Sequence, residues 1–432
     1  MRALFGGGTE DARSRGDILV WNCAANVAAN LIGGNFLVGL YSVLGLSDAL
    51  LGLIPTLTQL CALTQIFSPI ILNRFQYRKR ILLISRVTYY ACAIVLIGLT
   101  PFIPVGQSGR AALLVAFTML GNLANALVAP GYSVLHIRSI PEKTRADYFS
   151  VLNLLVNVCL YTAVMVFGRA VDFLKGISGS LLLGVTVARV FAIGFAALEL
   201  RSHTRIREHE EPRTAAGGLR NMFMPLKNKP YLLCTVLACM WSLFANIPGV
   251  YYSSYIIKDI KAPYTYLGAV SMLSVPIMLV VTPIWNRIVK KTSWFSAMSA
   301  ALAIYCSHYF MLSMVNPNNI YVLYTIALIV AYSASPGISI VTSNLPYQRL
   351  PDEGRSGYLA FYAASNSLSA MLGILLGSAL IITAGPRVIN LFGQAMGGKQ
   401  YIMWLPCALL FALSCVYRVI AAKERRGAAI QA

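Results

Sequence analysis

The stretch PEKTRADY at residues 141–148 recurs 210 residues later as PDEGRSGY at residues 351–358. A proline, an acid, an arginine, a small residue and a tyrosine stay in register between the two copies. Both copies lie between long apolar stretches. Repeats that keep their order and direction indicate that the chain is built from two equivalent halves.

Three shorter pairs of segments repeat in the same order. They are NLIG at 30–33 with NIPG at 246–249, SPI at 68–70 and NR at 73–74 with TPI at 282–284 and NR at 286–287, and PG at 130–131 with PG at 336–337. Each half therefore holds one copy of every pair.

The composition keeps most of the 432 residues out of water, because 57% are hydrophobic, 12% are charged and the mean hydropathy is +0.67. A helix needs about 20 apolar residues to cross the hydrocarbon of a bilayer, and the chain holds twelve such runs. These runs, spans one to twelve, cover residues 18–44, 49–72, 81–103, 111–137, 148–170, 179–199, 231–257, 264–285, 294–315, 320–343, 357–384 and 401–421. The predicted fold class is an all-α membrane protein with twelve transmembrane helices in two six-helix pseudo-symmetric halves.

The spans divide the chain into five segments. They are a cytoplasmic N-terminal segment at 1–17, an N-terminal half at 18–199, a cytoplasmic central loop at 200–230, a C-terminal half at 231–421 and a cytoplasmic tail at 422–432. Charge supports this orientation, since 26 of the 35 Lys and Arg lie in or beside segments on the N-terminal side and seven in or beside the opposite loops. Basic loops at an anionic inner leaflet suit the net charge of +20, so nucleic acid is not an expected partner.

The nine cysteines all fall inside predicted spans, and none forms a CxxC pair. We therefore expect no metal, no cofactor and no disulfide framework. The N-terminal segment is charged and Gly-rich, so span one itself is expected to direct membrane insertion.

The loop after span two carries a recognisable family pattern. Its sequence PIILNRFQYR at residues 69–78 resembles the signature Gly-x-x-x-Asp-Arg-x-Gly-Arg-Arg/Lys of the major facilitator superfamily, with Arg74 and Arg78 at basic positions. The two six-span halves and the long central loop extend this resemblance over essentially the whole chain. The resemblance implies a carrier whose halves rock about a midplane site.

The chain departs from the family pattern at several positions. Asn73 stands where the family has Asp, while Pro69, Gln76 and Tyr77 replace Gly, Gly and Arg. The family's loop latches the two halves through charge contacts, so the resemblance implies a latch without this carboxylate. Span four has no internal Arg and span five no Gly-Pro cluster, which argues against proton-driven drug efflux.

The repeat and the resemblance together predict paired cytoplasmic latches. Their candidate residues are Asn73, Arg74, Arg78, Arg145, Asn286, Arg287 and Arg355.

Polar side chains recur on single faces of several spans. In span one, Asn22, Asn26 and Asn30 follow four-residue steps and form one stripe. The candidates for a substrate cavity are Asn22, Asn26, Asn30, Gln65, Asn122, Asn125, Asn153, Asn157, Tyr161, Arg189, Trp241, Asn246, Tyr251, Tyr255, Tyr332, Tyr362 and Asn366. Amides and aromatic rings suit a polar organic solute; the alternative is that they only hydrogen-bond between helices.

Few ionisable residues fall within the spans, and no Asp or Glu is expected near the membrane midplane. Arg189 lies halfway along span six, where a charge costs about 2.5–3.5 kcal/mol on insertion scales. It either binds an anionic substrate or bonds backbone carbonyls, since the resemblance places span six away from the cavity. Arg86 is expected to reach the cytoplasmic interface, and His308 to pack or to relay protons.

These observations predict a secondary-type carrier, not an enzyme, that moves a small polar or anionic organic solute across the cytoplasmic membrane by alternating access. Both termini are expected in the cytoplasm. The expected partners are the small-molecule substrate and the lipid bilayer, and the chain is expected to function as a monomer. The alternatives are a multidrug or amphiphile efflux transporter and a solute receptor that transports nothing.

Overall fold

A computed structural model describes residues 10–72, 74–141, 145–209, 224–249, 251–345, 355–385, 387–391 and 394–431. Eleven helices of this part are long and apolar enough to cross a membrane, and a shorter apolar helix, Leu50–Leu63, falls in predicted span two. The described chain is nearly all helical. The all-α class with twelve spans is thus confirmed.

Helices of very different lengths build the first six spans. In chain order they are Glu10–Ile32 and Gly34–Val43 (span one), Asp48–Leu63, Thr64–Phe67 and Ser68–Leu72 (two), Lys79–Tyr90, Ala91–Leu96, Ile97–Leu99 and Thr100–Phe102 (three), Gln107–Ala126 and Ala129–Arg138 (four), Arg145–Ser178 (five) and Leu181–Arg205 (six).

A short 3-10 turn, Met224–Lys227, precedes the other six spans. In chain order they are Lys229–Asn246, Tyr251–Ser254 and Tyr255–Asp259 (seven), Tyr264–Met272 and Ser274–Lys291 (eight), Trp294–Ser313 (nine), Ile320–Tyr324 and Thr325–Asn344 (ten), Arg355–Ala384 (eleven), and Gly398–Tyr401 and Trp404–Gln431 (twelve).

A small hairpin lies between spans eleven and twelve. Strands β1 (Ile389–Leu391) and β2 (Gln394–Met396) pair antiparallel, with Ile389 opposite Met396. Sequence reasoning missed this hairpin, because three-residue strands are too short to show an alternating pattern.

The chain forms two compact units. Among the described residues, the first unit holds those up to 209 together with Lys261–Met272, and the second holds the rest. Helix Tyr264–Met272 of span eight thus belongs to the first unit, although its sequence lies in the C-terminal half.

The helix of span one begins at Glu10, before the predicted start at residue 18. Its first turns are buried by polar contacts, since Arg15 Nη1 donates to the Ser139 carbonyl at 3.3 Å and Tyr148 Oη donates to the Arg15 carbonyl at 2.7 Å. A hydropathy scan cannot detect a helix whose polar residues bond to other helix ends. The apolar core beside these contacts comprises Ile18, Leu72, Leu82, Val128, Tyr132, Leu135, Ile140, Tyr148, Leu152 and Ile206.

Helix Tyr264–Met272 packs against span five at very short range. Asp172 caps its first turn, because the two carboxylate oxygens accept from the backbone N–H of Tyr264 at 3.0 Å and of Thr265 at 2.6 Å. A Cβ on Gly168 would lie 2.7 Å from the Tyr264 carbonyl oxygen, and one on Gly268 would lie 2.7 Å from the Met165 Cα. Only glycine permits this approach at both positions.

Spans seven and eleven make a similar contact within the second unit. A Cβ on Gly373 would overlap the Leu243 carbonyl oxygen, and one on Gly377 would overlap the Ile247 carbonyl oxygen. The two glycines are four residues apart on one helix face, a spacing that lets helix backbones approach closely in membranes.

Candidate functional site

Three asparagines form a stripe on the first helix of span one. Asn22 Nδ2 donates to the Ile18 carbonyl at 2.8 Å, Asn26 Nδ2 to the Asn22 carbonyl at 2.9 Å, and Asn30 Nδ2 to the Asn26 carbonyl at 3.5 Å. All three side chains are half-buried, and no other partner for their amides occurs among the described residues. Each bond restrains its amide and leaves the Oδ1 as an acceptor without a protein donor. The stripe is therefore a row of hydrogen-bond acceptors.

The stripe ends where span one breaks, between Ile32 and Gly34. Span seven breaks after Asn246, whose Nδ2 donates to the Ser242 carbonyl at 2.7 Å. The breaks fall at the repeated NLIG and NIPG segments. Gly34, the residue after NLIG, and Gly249, the last residue of NIPG, have φ of +47° and +49°, which favours glycine. Discontinuous helices supply binding groups in several transporter folds.

The polar stripe of span five points towards helix Tyr264–Met272. Asn157 Nδ2 donates to the Asn153 carbonyl at 2.7 Å, and Tyr161 follows one turn later. At 3.6 residues per turn this face continues to Gly168 and Asp172, which contact that helix. Asn153 is exposed, while Asn157 and Tyr161 are half-buried.

Span four presents its two asparagines differently. Asn122 Nδ2 donates to the Thr118 carbonyl at 2.8 Å, like the amides of span one. Asn125 Oδ1 instead accepts from Arg86 Nη1 at 3.3 Å. Asn122 thus keeps its amide oxygen without a donor among the described residues, whereas the amide oxygen of Asn125 already accepts a hydrogen bond from Arg86.

The polar face of span eleven packs inside the second unit. Tyr362 Oη donates to the Thr342 carbonyl at 3.2 Å, and Asn366 Nδ2 donates to the Tyr362 carbonyl at 3.1 Å. Ser242 Oγ of span seven donates to the Asn366 carbonyl at 3.1 Å. This face continues to the closely packed Gly373, so it serves helix packing at least in part.

The other aromatic candidates of the second unit have partners. Tyr251 Oη donates to Ser378 Oγ at 2.7 Å, and Tyr255 Oη donates to the Val315 carbonyl at 3.0 Å. The Trp241 ring meets the Tyr305 ring edge-on, with centroids 5.5 Å apart. Tyr332 and, in the first unit, Gln65 are half-buried.

Arg189 is 4% exposed and bonds to backbone carbonyls. Its Nη1 donates to the Ala93 carbonyl at 2.9 Å and its Nη2 to the Ile32 carbonyl at 3.3 Å, while Nε has no hydrogen-bond partner among the described residues. Ile32 is the last residue before the break in span one, and Ala93 lies in the π-helical stretch Ala91–Leu96. The carbonyl of Ile32 lies at a helix end, where backbone carbonyls lack an internal donor, and Arg189 supplies a donor there.

The sequence predicted that Arg86 extends to the cytoplasmic interface. Its side chain instead pairs with Glu199. Arg86 Nε lies 2.6 Å from Glu199 Oε1, and the Glu199 side chain is 0% exposed. The prediction was wrong because the partner lies 113 residues away on span six. A usable signal existed: opposite charges stand at similar distances from the same-side ends of spans three and six.

The described latch residues lie mostly in solvent. Arg74, Asn286 and Arg287 are exposed, and Arg78 Nε donates to the Phe75 carbonyl at 3.4 Å. Asn73 and the side chains of Arg145 and Arg355 lie outside the described residues. The latches remain a prediction.

His308 is buried in the second unit beside two tyrosine rings. Its Nδ1 lies 2.8 Å from the Ala327 carbonyl oxygen, so Nδ1 carries a hydrogen, and the Tyr305 and Tyr309 rings lie 5.3 and 5.2 Å away. These contacts are those of a packing residue; proton relay stays untested.

The family model of the Major Facilitator Superfamily matches residues 21–350. The chain belongs to the major facilitator superfamily. The match starts one residue before the asparagine stripe of span one and ends six residues after the last helix of span ten. No curated protein matches the chain.

Solved structures of this superfamily share the fold. A bacterial homologue of the iron transporter ferroportin, in an inward-facing state, is 12% identical with a TM-score of 0.70, over 95% of this chain and 98% of that one. The D-xylose-proton symporter is 14% identical with a TM-score of 0.67, over 94% and 96%. The nucleoside transporter NupG is 12% identical with a TM-score of 0.62, over 95% and 98%. At such identities the likeness shows the fold alone.

Proposed function

We propose that the chain is a carrier for a small neutral solute rich in hydroxyl or N–H donors, which it moves by alternating access. The row of unbonded amide oxygens at Asn22, Asn26 and Asn30 carries this proposal. A row of acceptors in an apolar surrounding favours a ligand that supplies several donors and no charge. Sugars and nucleosides are ligands of this kind.

Two arginines of spans three and six, Arg86 and Arg189, support a neutral rather than an anionic solute. Arg189 donates to two backbone carbonyls, and Arg86 is neutralised by Glu199. An anion that accepted from the Nη atoms of Arg189 or from Arg86 would displace one of these partners and leave a buried polar group unpaired, at a cost of about 1–3 kcal/mol. The aligned amides need no such exchange.

Alternating access is the transport mode that the two repeated halves of the sequence and the family of the chain favour. Solved structures of this fold include proteins named as a nucleoside transporter and a D-xylose-proton symporter, and also proteins named as a metal transporter and a homologue of an iron transporter. The proposed solute class therefore rests on the row of asparagine oxygens and not on the fold.

The test is thermal stabilisation of the purified protein by uridine, D-xylose, a dipeptide, succinate and a cationic dye, each titrated to saturation. Saturation at 100 times Kd raises the unfolding free energy by about 2.7 kcal/mol. We expect uridine or xylose to stabilise the wild type and Asn26→Leu to lose the effect. Asn344→Leu is the matched control, because Asn344 makes the same one-turn bond, at 2.7 Å to the Ile340 carbonyl, outside the stripes.

The other outcomes separate the alternatives. Stabilisation by succinate that disappears in Arg189→Gln would replace the neutral solute with an anionic one. Stabilisation by the dye alone would favour amphiphile efflux. Binding of a solute without uptake into proteoliposomes would point to a receptor.

A further inference from the structure

Two buried polar side chains of the first unit, Arg189 of span six and Tyr41 of span one, each keep one atom without a hydrogen-bond partner among the described residues. These atoms are Arg189 Nε and Tyr41 Oη. The two residues are 4% and 3% exposed. Buried polar atoms are rarely left unpaired without a bound water, a bound ion or a functional reason. The pair therefore marks a place where a small ligand would be stabilised.

Both groups lie where spans one, three and six meet. The second helix of span one carries Tyr41 and packs on span six, since a Cβ on Gly39 would lie 3.4 Å from Val185 Cγ2. Val185 precedes Arg189 by four residues, on the same face of span six. A Cβ on Gly98 of span three would lie 3.6 Å from Arg189 Cδ. The Arg189 guanidinium and the Tyr41 hydroxyl are close enough for an electrostatic interaction.

The donors that remain at this place are single ones. Arg189 Nη1 and Nη2 donate to the Ala93 and Ile32 carbonyls at 2.9 and 3.3 Å, which leaves Nε as the guanidinium nitrogen without a partner. The Tyr41 hydroxyl can turn its hydrogen towards a neighbouring acceptor. Arginine binds carboxylates and phosphates through paired N–H groups, and that pairing is taken up here. One N–H and one O–H suit a ligand that accepts through a single atom.

The charge of Arg189 has no acidic partner in the part of the chain that the structure describes. Arginine keeps its proton in proteins, so the charge stays buried and is bonded to neutral carbonyls. A buried charge is stabilised by a counter-charge together with hydrogen bonds. A water molecule at Nε would add a hydrogen bond only. A small anion would supply both.

We propose that Arg189 Nε–H and Tyr41 O–H bind a halide ion, chloride under cellular conditions, inside the first unit. The ion accepts one hydrogen bond from each group and neutralises the guanidinium. Arg189 also donates to the Ile32 carbonyl, where the first helix of span one ends. The bound ion therefore stabilises the break that follows the asparagine stripe.

This ion is distinct from the transported solute of the proposed function. The stripe at Asn22, Asn26 and Asn30 offers acceptors, whereas the place between Arg189 and Tyr41 offers donors and a positive charge. The two sites thus select ligands of opposite chemistry. Halide binding does not depend on whether the chain carries a neutral solute.

The first test measures binding of radioactive chloride to the purified protein by equilibrium dialysis in sodium gluconate. We expect saturable binding of one chloride per chain, displaced by bromide but not by sulfate, which is larger and accepts through several oxygens. Arg189→Gln should abolish this binding. Tyr41→Phe should weaken it about tenfold or more, because a hydrogen bond to a charged group contributes at least that factor.

Tyr417→Phe is the matched control. Tyr417 is 0% exposed, and its Oη also lacks a hydrogen-bond partner among the described residues, but it lies on span twelve of the second unit. Its removal should leave chloride binding unchanged. Tyr41→Phe removes a single oxygen, so it decides the matter if Arg189→Gln does not fold. Wild type without saturable binding, or equal affinities in wild type and Tyr41→Phe, would overturn the proposal.

The second test follows Tm while chloride replaces gluconate at constant ionic strength. A ligand that binds only the folded state raises the unfolding free energy with its concentration, so the wild-type Tm should rise and then level off. Arg189→Gln should show no rise, and Tyr41→Phe should need about tenfold more chloride for half of it. An equal rise in the wild type and both variants would reveal a general salt effect and count against a halide site. Neither test contains a transported solute, so both remain decisive if the proposed carrier function fails.

Discussion

Asp172→Ala should release helix Tyr264–Met272 from the first unit. The carboxylate accepts two backbone N–H groups at 3.0 and 2.6 Å. Hydrogen bonds to charged groups contribute about 1.5–3 kcal/mol each, but Asp172 is only half-buried, and loss of an N-cap costs about 0.5–2 kcal/mol. We therefore expect a loss of about 2 kcal/mol, which is about 30-fold in an equilibrium constant.

The assay is hydrogen–deuterium exchange of the peptide that covers Tyr264–Met272. Exchange through local opening should accelerate about 30-fold in Asp172→Ala, because the rate follows the population of the open form. Asp172→Asn keeps one acceptor and loses the charge, so about 1 kcal/mol and a fivefold acceleration are expected. Asp259→Ala, which removes the bond to Lys399, should leave this peptide unchanged. Exchange in Asp172→Ala within twofold of wild type would refute the capping argument.

Three further changes test the packing. Gly377→Val places side-chain atoms against the Ile247 carbonyl and should lower the unfolding free energy by about 1–3 kcal/mol, which is measured as a lower Tm. The control is Gly194→Ala, where nothing lies within 4 Å of the added Cβ, and it should raise the unfolding free energy by about 0.5–1 kcal/mol. Equal Tm shifts in the two variants would contradict the predicted overlap at Gly377. Arg189→Gln removes two hydrogen bonds from a charged donor, and such bonds contribute about 1.5–3 kcal/mol each. The variant should therefore have a lower Tm, while stabilisation by a neutral solute stays the same. An unchanged Tm would show that the two bonds contribute nothing to stability. Tyr231→Phe removes the 2.9 Å bond to the Tyr358 carbonyl and should cost about 0.5–1.5 kcal/mol in chemical unfolding; an unchanged unfolding free energy would show that this bond contributes nothing.

The sequence predicted most of the fold because a bilayer imposes length and polarity on every span. Span five, predicted at 148–170, appears within helix Arg145–Ser178. Span one was started too late, since its first turns are polar and are buried by Ser139 and Tyr148 rather than by lipid. Hydropathy indicates which residues can face lipid. The boundary predicted from it therefore falls where the helix begins to be buried by other parts of the protein instead of by lipid.

The site was predictable only as far as periodicity reaches. Four-residue spacing placed Asn22, Asn26 and Asn30 on one face of span one, and the structure bonds each to the carbonyl one turn earlier. Spacing within one helix could not tell that Asn125 meets Arg86 or that Tyr362 bonds to span ten. Those partners depend on which helix lies alongside.

The sequence by itself determined the twelve spans, the two repeated halves and the polar stripes. These follow from local composition and from spacing along one helix, which the chain fixes wherever it folds. Only the tertiary structure decided that Arg189 bonds the Ile32 carbonyl, that Arg86 pairs with Glu199, and that helix Tyr264–Met272 rests on span five. Each of these contacts joins atoms from different helices at distances of about 3 Å, where a charge finds its partner by packing and not by its position in the chain.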